Sequence, residues 1–351
     1  MKVLVTGNQG YIGSVLVQRL MKQDFFVKGL DIGYYADNLL TKPSNKIDNF
    51  EQIKKDIRNI QKEDLLGIDA IIHLAALSND PLGELDTSLT KEINYLATVR
   101  LAKIAKKVGV KRFVFASTQS IYGISDSDIE LDEDLSKKNP ITAYAHTKWF
   151  SELELKKITS QDFVTVCFRP ATVFGESPRL RCDIVFNNFV ASAYTSGKIQ
   201  IKSDGTPWRP IVHINDVCDA FIAGLLAPAH IINGRSFNVG IQNGNYTVRQ
   251  LAKWASKVVK DSKITFTGEH RADSRSYKVS FARILSELSS WYCPKWNLEN
   301  GGAQLVEFLR SCNFSREDFK GPKTNRILQL NFLLKKKKIN SRLSWISNNG
   351  N

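Results

Sequence analysis

In Tyr144-Ala145-His146-Thr147-Lys148 a phenol and an ammonium stand four residues apart, a spacing that puts both side chains on one face of a helix. A nearby ammonium favours the phenolate and draws a tyrosine's pKa down toward the working pH. Such a pair can take a proton from a substrate hydroxyl while hydride leaves the same carbon for an acceptor. The pattern alone is common by chance, so its setting decides its weight. Upstream, an apolar run ends in Ala116-Ser117-Thr118-Gln119-Ser120. Hydroxyls at the carboxyl end of a strand lie where open α/β sheets bind ligands.

The acceptor is implied at the start of the chain. Gly7-Asn8-Gln9-Gly10-Tyr11-Ile12-Gly13 places three glycines between an apolar run and an amphipathic stretch. A tight strand-helix turn alone could explain them. The context adds that a pyrophosphate approaching backbone needs residues without Cβ, and that a helix N-terminus supplies N–H donors and a positive dipole. Asp31 closes the next apolar run. A carboxylate there accepts both hydroxyls of an adenosine ribose and repels a 2′-phosphate. Ile32-Gly33-Tyr34 offers no Arg or Lys to neutralise one. NAD is therefore expected over NADP.

These residues need a scaffold that brings strand ends together. The short apolar runs 2–6, 27–30, 70–74, 112–116 and 163–168 alternate with helical patterns at 11–21, 90–108 and 143–158. Strand-helix alternation predicts an α/β fold, a Rossmann-like, doubly wound parallel sheet. After Arg169-Pro170 the rhythm weakens. A helix is expected over 183–196, followed by the Gly/Pro-punctuated stretch Asp204 to Pro210. The expected organisation is an NAD-binding domain over 1–172 with returning segments around 211–240, and a smaller, interleaved mixed α/β substrate lobe over 173–320. A C-terminal appendage occupies 321–351, with a helix from Arg326 to Lys338 and a frayed, Asn-rich end.

The chain resembles the extended short-chain dehydrogenase family, the NAD-dependent nucleotide-sugar epimerases and dehydratases. The resemblance rests on the glycine turn, Asp31, Asp56-Ile57, His73-Leu74-Ala75-Ala76, Asn94, Thr118, Tyr144/Lys148, Arg169-Pro170, and Arg209-Pro210-Ile211-Val212-His213-Ile214-Asn215-Asp216. It spans roughly residues 1 to 310. It implies a base/acid at Tyr144, a pKa-lowering and ribose-binding partner at Lys148, and a hydrogen bond from Thr118 to the reacting oxygen. It also implies cofactor contacts at Gly7, Gly10, Tyr11, Ile12, Gly13, Asp31, Asp56, Ile57, Leu74, Ala75, Ala76 and Asn94. On the substrate side it implies Arg209 on a diphosphate, joined by Arg271 or Arg275, with Thr172 and Asn187 nearby; Ser78, placed after the fourth strand, is expected as a substrate contact, with a capping or turn role as its rival. Thr172 stands where the family often has Asn. A homodimer through the helices at 90–108 and 143–158 is a further implication.

Family members that eliminate water or carbon dioxide carry an acid just after the Ser/Thr. Here Gln119 and Ser120 follow Thr118, and neither serves as an acid/base at neutral pH. The expected reaction is thus epimerisation of a nucleotide-diphosphate sugar at C4. Reduction of a nucleotide-4-keto-6-deoxysugar is the alternative, with decarboxylase, dehydratase and non-catalytic scaffold behind.

Composition narrows the rest. The 351 residues are 42% hydrophobic and 24% charged, ordinary for a globular enzyme. The net charge of +14 does not by itself choose a partner. Its one dense run, Lys335 to Lys338, lacks the aromatic interleaving of a nucleic-acid site, so none is expected. Cys167, Cys182, Cys218, Cys293 and Cys312 are scattered without CxxC spacing, which predicts reduced thiols, no metal site and a cytoplasmic protein. His73 and His213 each end an apolar run and are expected to be core residues. No stretch has the length of a membrane span.

Overall fold

The computed structural model describes residues 1–41, 49–125, 129–267 and 276–346. The first apolar runs form strands β1 (Lys2–Thr6), β2 (Phe26–Asp31), β3 (Phe50–Lys54), β4 (Ala70–His73), β5 (Arg112–Ala116) and β6 (Val164–Pro170). Three short strands follow, β7 (Thr172–Phe174), β8 (Lys198–Ile201) and β9 (Trp208–His213). After them β10 (Arg235–Val239) returns to the main sheet, and β11 (Asn245–Thr247) and β12 (Lys263–Phe266) complete the set. The main sheet has seven strands in the order β10-β6-β5-β4-β1-β2-β3, and every pairing in it is parallel. The doubly wound, Rossmann-like sheet expected from the alternation is what the chain forms. Strand order reverses between β1 and β4, which opens a crevice at the carboxyl ends of the strands.

Alternate residues of β1 serve opposite faces. Val3 and Val5 pack with the helix Tyr11–Met21 and the helix Ile214–Leu226. Leu4 packs with the helices Ala97–Lys107 and Ala143–Ile158. Two-sided burial is why the central runs read as continuously apolar. The edge strand β3, Phe50-Glu51-Gln52-Ile53-Lys54, is largely solvated and gave no such signal.

The helix expected over 90–108 is interrupted. A turn of π-helix at Glu92–Leu96 separates Thr87–Lys91 from Ala97–Lys107. That wider turn carries Asn94, whose amide accepts from Leu77 N (2.8 Å) and donates to Leu77 O (3.1 Å). It fixes the loop after β4.

Beyond the sheet, β7, β9 and β11 form a three-stranded sheet and β8 pairs with β12. The segment after Gly321 packs down on the molecule. Its helix Arg326–Lys335 places Leu330 and Leu333 in the same core as Leu4 and Phe113, joined by Ile339 and Leu343. Among the described residues no helix is long and apolar enough to cross a membrane, and no group of His, Cys, Asp and Glu could hold a metal ion.

Candidate active site

One cavity of about 780 Å³ runs along the carboxyl ends of the strands, within the usual range for ligand sites. At one end lies the glycine turn. Gly7 has φ +73°, and a Cβ there would sit 2.7 Å from Ala75 N. A Cβ on Gly13 would meet Gly7 O at 2.2 Å, which holds the helix against the strand. At Gly10 a Cβ would meet only Gly7 O, at 3.1 Å, so this position keeps open space. No side chain caps the helix Tyr11–Met21. Open backbone at an uncapped helix N-terminus fits a pyrophosphate. Asp31 accepts from Gln9 N (3.0 Å) and Gly33 N (2.8 Å), while burial holds its carboxyl above the usual range.

Gly7, Gly10, Tyr11, Ile12, Gly13, Asp31, Asp56, Ile57, Leu74, Ala75 and Ala76 all line this cavity. The Tyr11 side chain itself turns away, its hydroxyl donating to Gly175 O at 2.8 Å. Asp56 accepts from its neighbour Arg58, at 3.1 and 3.0 Å from Nε and 2.9 Å from the backbone N. Asn94 does not reach the cavity; it acts through Leu77.

Thr118, Tyr144 and Lys148 all line this cavity, the Thr118 and Tyr144 side chains within hydrogen-bond reach of each other. Thr118 Oγ1 accepts from Ser120 N at 3.1 Å, which caps the turn after β5. Thr142 caps the helix Ala143–Ile158 and sets the first turn that holds Tyr144. Lys148 Nζ donates to Ala116 O at 2.7 Å. Burial lowers its pKa to about 7, with Glu152 pulling the other way. The expected lowering of the phenol's pKa is not met. Burial pushes Tyr144 up to about 12, opposed chiefly by a hydrogen bond to the Thr118 hydroxyl and the Arg181 charge. Desolvation outweighs the Arg181 charge here.

The helix rests on a buried ion pair. Arg169 Nη2 lies 2.7 Å from Glu152 Oε2, both almost fully buried. Gln119, next to Thr118, is buried too, its Nε2 donating to Arg169 O at 3.0 Å.

Ser78, Thr172 and Arg209 line the same cavity, with Gln200 and Lys202 from β8 and its following turn. Asn187 is elsewhere. It is buried, accepting from Gly175 N (3.0 Å) and donating to Tyr11 OH (3.1 Å) and Arg181 O (3.0 Å). Its neighbour Asn188 is the one that lines the cavity. Arg271 and Arg275 lie outside the described residues.

Several cavity residues carried no motif. Arg181 bridges Asp183 (2.9 Å) and Ser78 Oγ (3.2 Å). Tyr35, Asp80 and Arg326 also line the cavity. Charge and aromaticity were visible at these positions, but only the fold brings Arg326 to the strand ends. Both histidines are core residues. His73 lies between Thr6 Oγ1 (2.6 Å) and Thr98 Oγ1 (2.8 Å), and His213 stacks on Trp296.

A doubly wound sheet with an uncapped glycine turn, a buried carboxylate at the end of β2 and a Thr-Tyr-Lys set on one cavity defines a dinucleotide-dependent enzyme of the short-chain dehydrogenase type. The model of the NAD dependent epimerase/dehydratase family matches residues 3–240, and the chain belongs to that family. It is 32% identical over 323 residues to the UDP-glucose 4-epimerase of Mycolicibacterium smegmatis, covering 89% of this chain and 99% of that one. It is 29% identical over 334 residues to the UDP-glucuronate 4-epimerase of Thermodesulfobacterium geofontis, covering 90% and 96%. Among solved structures it is similar to the dTDP-glucose 4,6-dehydratase DesIV of Streptomyces venezuelae with NAD and TYD bound. That match has a TM-score of 0.77 and 25% identity, covering 92% of this chain and 100% of that one. The cofactor is NAD.

Proposed function

We propose that the chain is an epimerase that inverts C4 of a nucleotide-diphosphate sugar through a transient 4-keto sugar. NAD supplies the chemistry of hydride acceptance and return. Tyr144 takes the proton of the C4 hydroxyl and later gives it back. Thr118 holds the reacting oxygen and draws the Tyr144 phenol down against burial, and Lys148 binds the nicotinamide ribose. Arg209, which lines the cavity as Lys202 does, binds the sugar's diphosphate, since a guanidinium matches phosphate oxygens in pairs.

The supporting observation is Gln119. Its buried amide is committed to Arg169 O, so the position that follows Thr118 in the chain holds no acid to drive an elimination. The carboxylates on the cavity are also engaged: Asp183 with Arg181, Asp56 with Arg58, Asp31 with backbone N–H groups, and Asp80 with Thr142. Both observations support hydride and proton exchange at one carbon over elimination.

The test is a nucleotide-sugar panel incubated with enzyme and trace NAD, followed by mass spectrometry and NMR. A product of unchanged mass with C4 inverted is expected. A product lacking water or carbon dioxide refutes the proposal. So does turnover only with added NADH or NADPH on a 4-keto sugar, gaining two hydrogens, which is the ketoreductase reading.

A further inference from the structure

Arg326 opens the C-terminal helix, well beyond residue 240 where the family model ends. It is 2% exposed, yet it lines the active-site cavity together with Asn325 and Ile327. Its Nη2 donates to Arg179 O at 2.7 Å, and its guanidinium lies 4.3 Å over the Tyr35 ring. Nη1 is buried and has no hydrogen-bond partner among the described residues. A buried cation with an unmatched N–H is costly unless something answers it. The carboxylates in its field, Asp31 and Asp183, make no hydrogen bond to Nη1 and are engaged elsewhere, Asp31 by Gln9 N and Gly33 N. Arg179 and Arg181 are like-charged neighbours, and Asp183 is already paired to Arg181. Burial and these cations lower the Arg326 pKa to about 10. The wall therefore presents positive charge and a donor waiting for an anion.

The position selects which anion. Arg326 is bonded to Arg179 and stacks on Tyr35, and Arg179 in turn donates to Tyr35 O (3.1 Å) and Ala36 O (3.2 Å) in the loop that follows Asp31. Arg326 thus sits by the loop after Asp31, whose carboxylate accepts from Gln9 N of the glycine turn. The segment behind it is fastened to the loop following Asp31. Gln329 Nε2 donates to Tyr34 O (3.0 Å), Trp345 Nε1 donates to Ile32 O (2.6 Å), and the Tyr34 hydroxyl donates to Leu343 O.

We propose that Arg326 is a cofactor-binding residue, taking the diphosphate of NAD from the side opposite the glycine turn, and that residues 325–345 hold the cofactor resident. The substrate's diphosphate offers the same chemistry; the Asp31 location favours NAD's. This rests on the proposed epimerase reading only in that an enzyme regenerating NAD in each cycle has use for a cofactor that stays.

The test measures binding, so it stands whatever reaction the enzyme performs. Arg326→Gln and Arg326→Lys are purified and their bound NAD is counted after denaturation. Affinities for NAD, ADP, adenosine and UDP are then measured by calorimetry on stripped protein. Loss of one charge-assisted contact corresponds to about tenfold or more in affinity. Arg326→Gln is expected to weaken NAD and ADP by that factor while adenosine and UDP stay within about twofold, and Arg326→Lys should recover part of the loss. Unchanged ADP and NAD affinity overturns the proposal. An equal loss for adenosine and ADP also overturns it, because the diphosphate is then not the contact. A loss confined to UDP assigns Arg326 to the substrate instead. Should the Gln variant not fold, amide exchange in the unaltered protein decides. Residues 325–345 are expected to slow on NAD addition, and an unchanged rate there overturns the proposal.

Discussion

The lysine proposed for the chemistry is a burden to the fold. Lys148 is 3% exposed, and burial lowers its pKa from 10.5 to about 7. Between pH 7 and 10.5 the unfolded chain carries a proton that the folded chain has lost, so stability rises with pH in that window. Below pH 7 both states are charged and the folded state bears the full desolvation penalty. Lys148→Met keeps the packing against Phe115 and removes the charge. It is expected to stabilise the NAD-free protein at pH 6 by roughly 2 kcal/mol, after allowing for the lost bond to Ala116 O. The gain should shrink as pH rises through 7 toward 10. Turnover should fall at least about a hundredfold. Urea unfolding of both proteins across pH 6 to 10 checks this, and a variant less stable at pH 6 refutes it. At this scale the sequence was readable where a motif fixes a role. It was not readable where a side chain's direction decides: Asn187 and Asn188 differ by one residue, and only the helix's rotation puts the second on the cavity.

The element that carries Tyr144 and Lys148 is held to the sheet from beneath. Arg169 on β6 pairs with Glu152 on the helix Ala143–Ile158, and Ser236 on β10 donates to the same carboxylate at 2.9 Å. Arg169 also donates to the Tyr122 hydroxyl at 3.0 Å. Arg169 outweighs the burial of Glu152 and keeps its carboxyl below the usual range. Removing one partner leaves the other charge buried without an answer, which costs about 3 kcal/mol or more. Glu152→Gln should therefore lose about that much stability. It should also lower the Lys148 pKa further, since Glu152 is the charge that raises it. Chemical denaturation tests the first effect, and pH titration of NAD binding tests the second. A loss under 1 kcal/mol refutes the anchoring role. The central strands and the helices at 11–21 and 143–158 were evident from two-sided apolar runs and helical spacing. The π-turn at Glu92–Leu96 was not, because its register break preserves the overall amphipathic pattern and only the Asn94–Leu77 bonds reveal its use.

Across the whole molecule, the layout that makes one cavity also sets how the protein fails in acid. The sheet's outer ends join through distant chain: β10 beside β6, and the C-terminal segment against the core under β2. Neither junction leaves a local sequence mark, since each depends on contacts between residues far apart along the chain. Both buried histidines belong to this shared interior. Burial lowers His73 and His213 to about 3 from 6.5. Between pH 3 and 6.5 the unfolded chain binds protons that the folded chain excludes, so stability falls as pH falls through that range. Each histidine contributes a slope of up to about 1.4 kcal/mol per pH unit. Asp216, raised to about 6 by burial, works in the opposite direction between 6 and 3.8 and offsets part of it. His73→Gln should start less stable, because Thr6 and Thr98 lose their shared partner. Its dependence on pH between 4 and 6 should nevertheless be shallower than that of the unaltered protein by about 1.4 kcal/mol per unit. Urea midpoints taken along that range read the two slopes directly. Parallel slopes would mean that His73 titrates alike in both states, and that the acid limb of stability arises elsewhere.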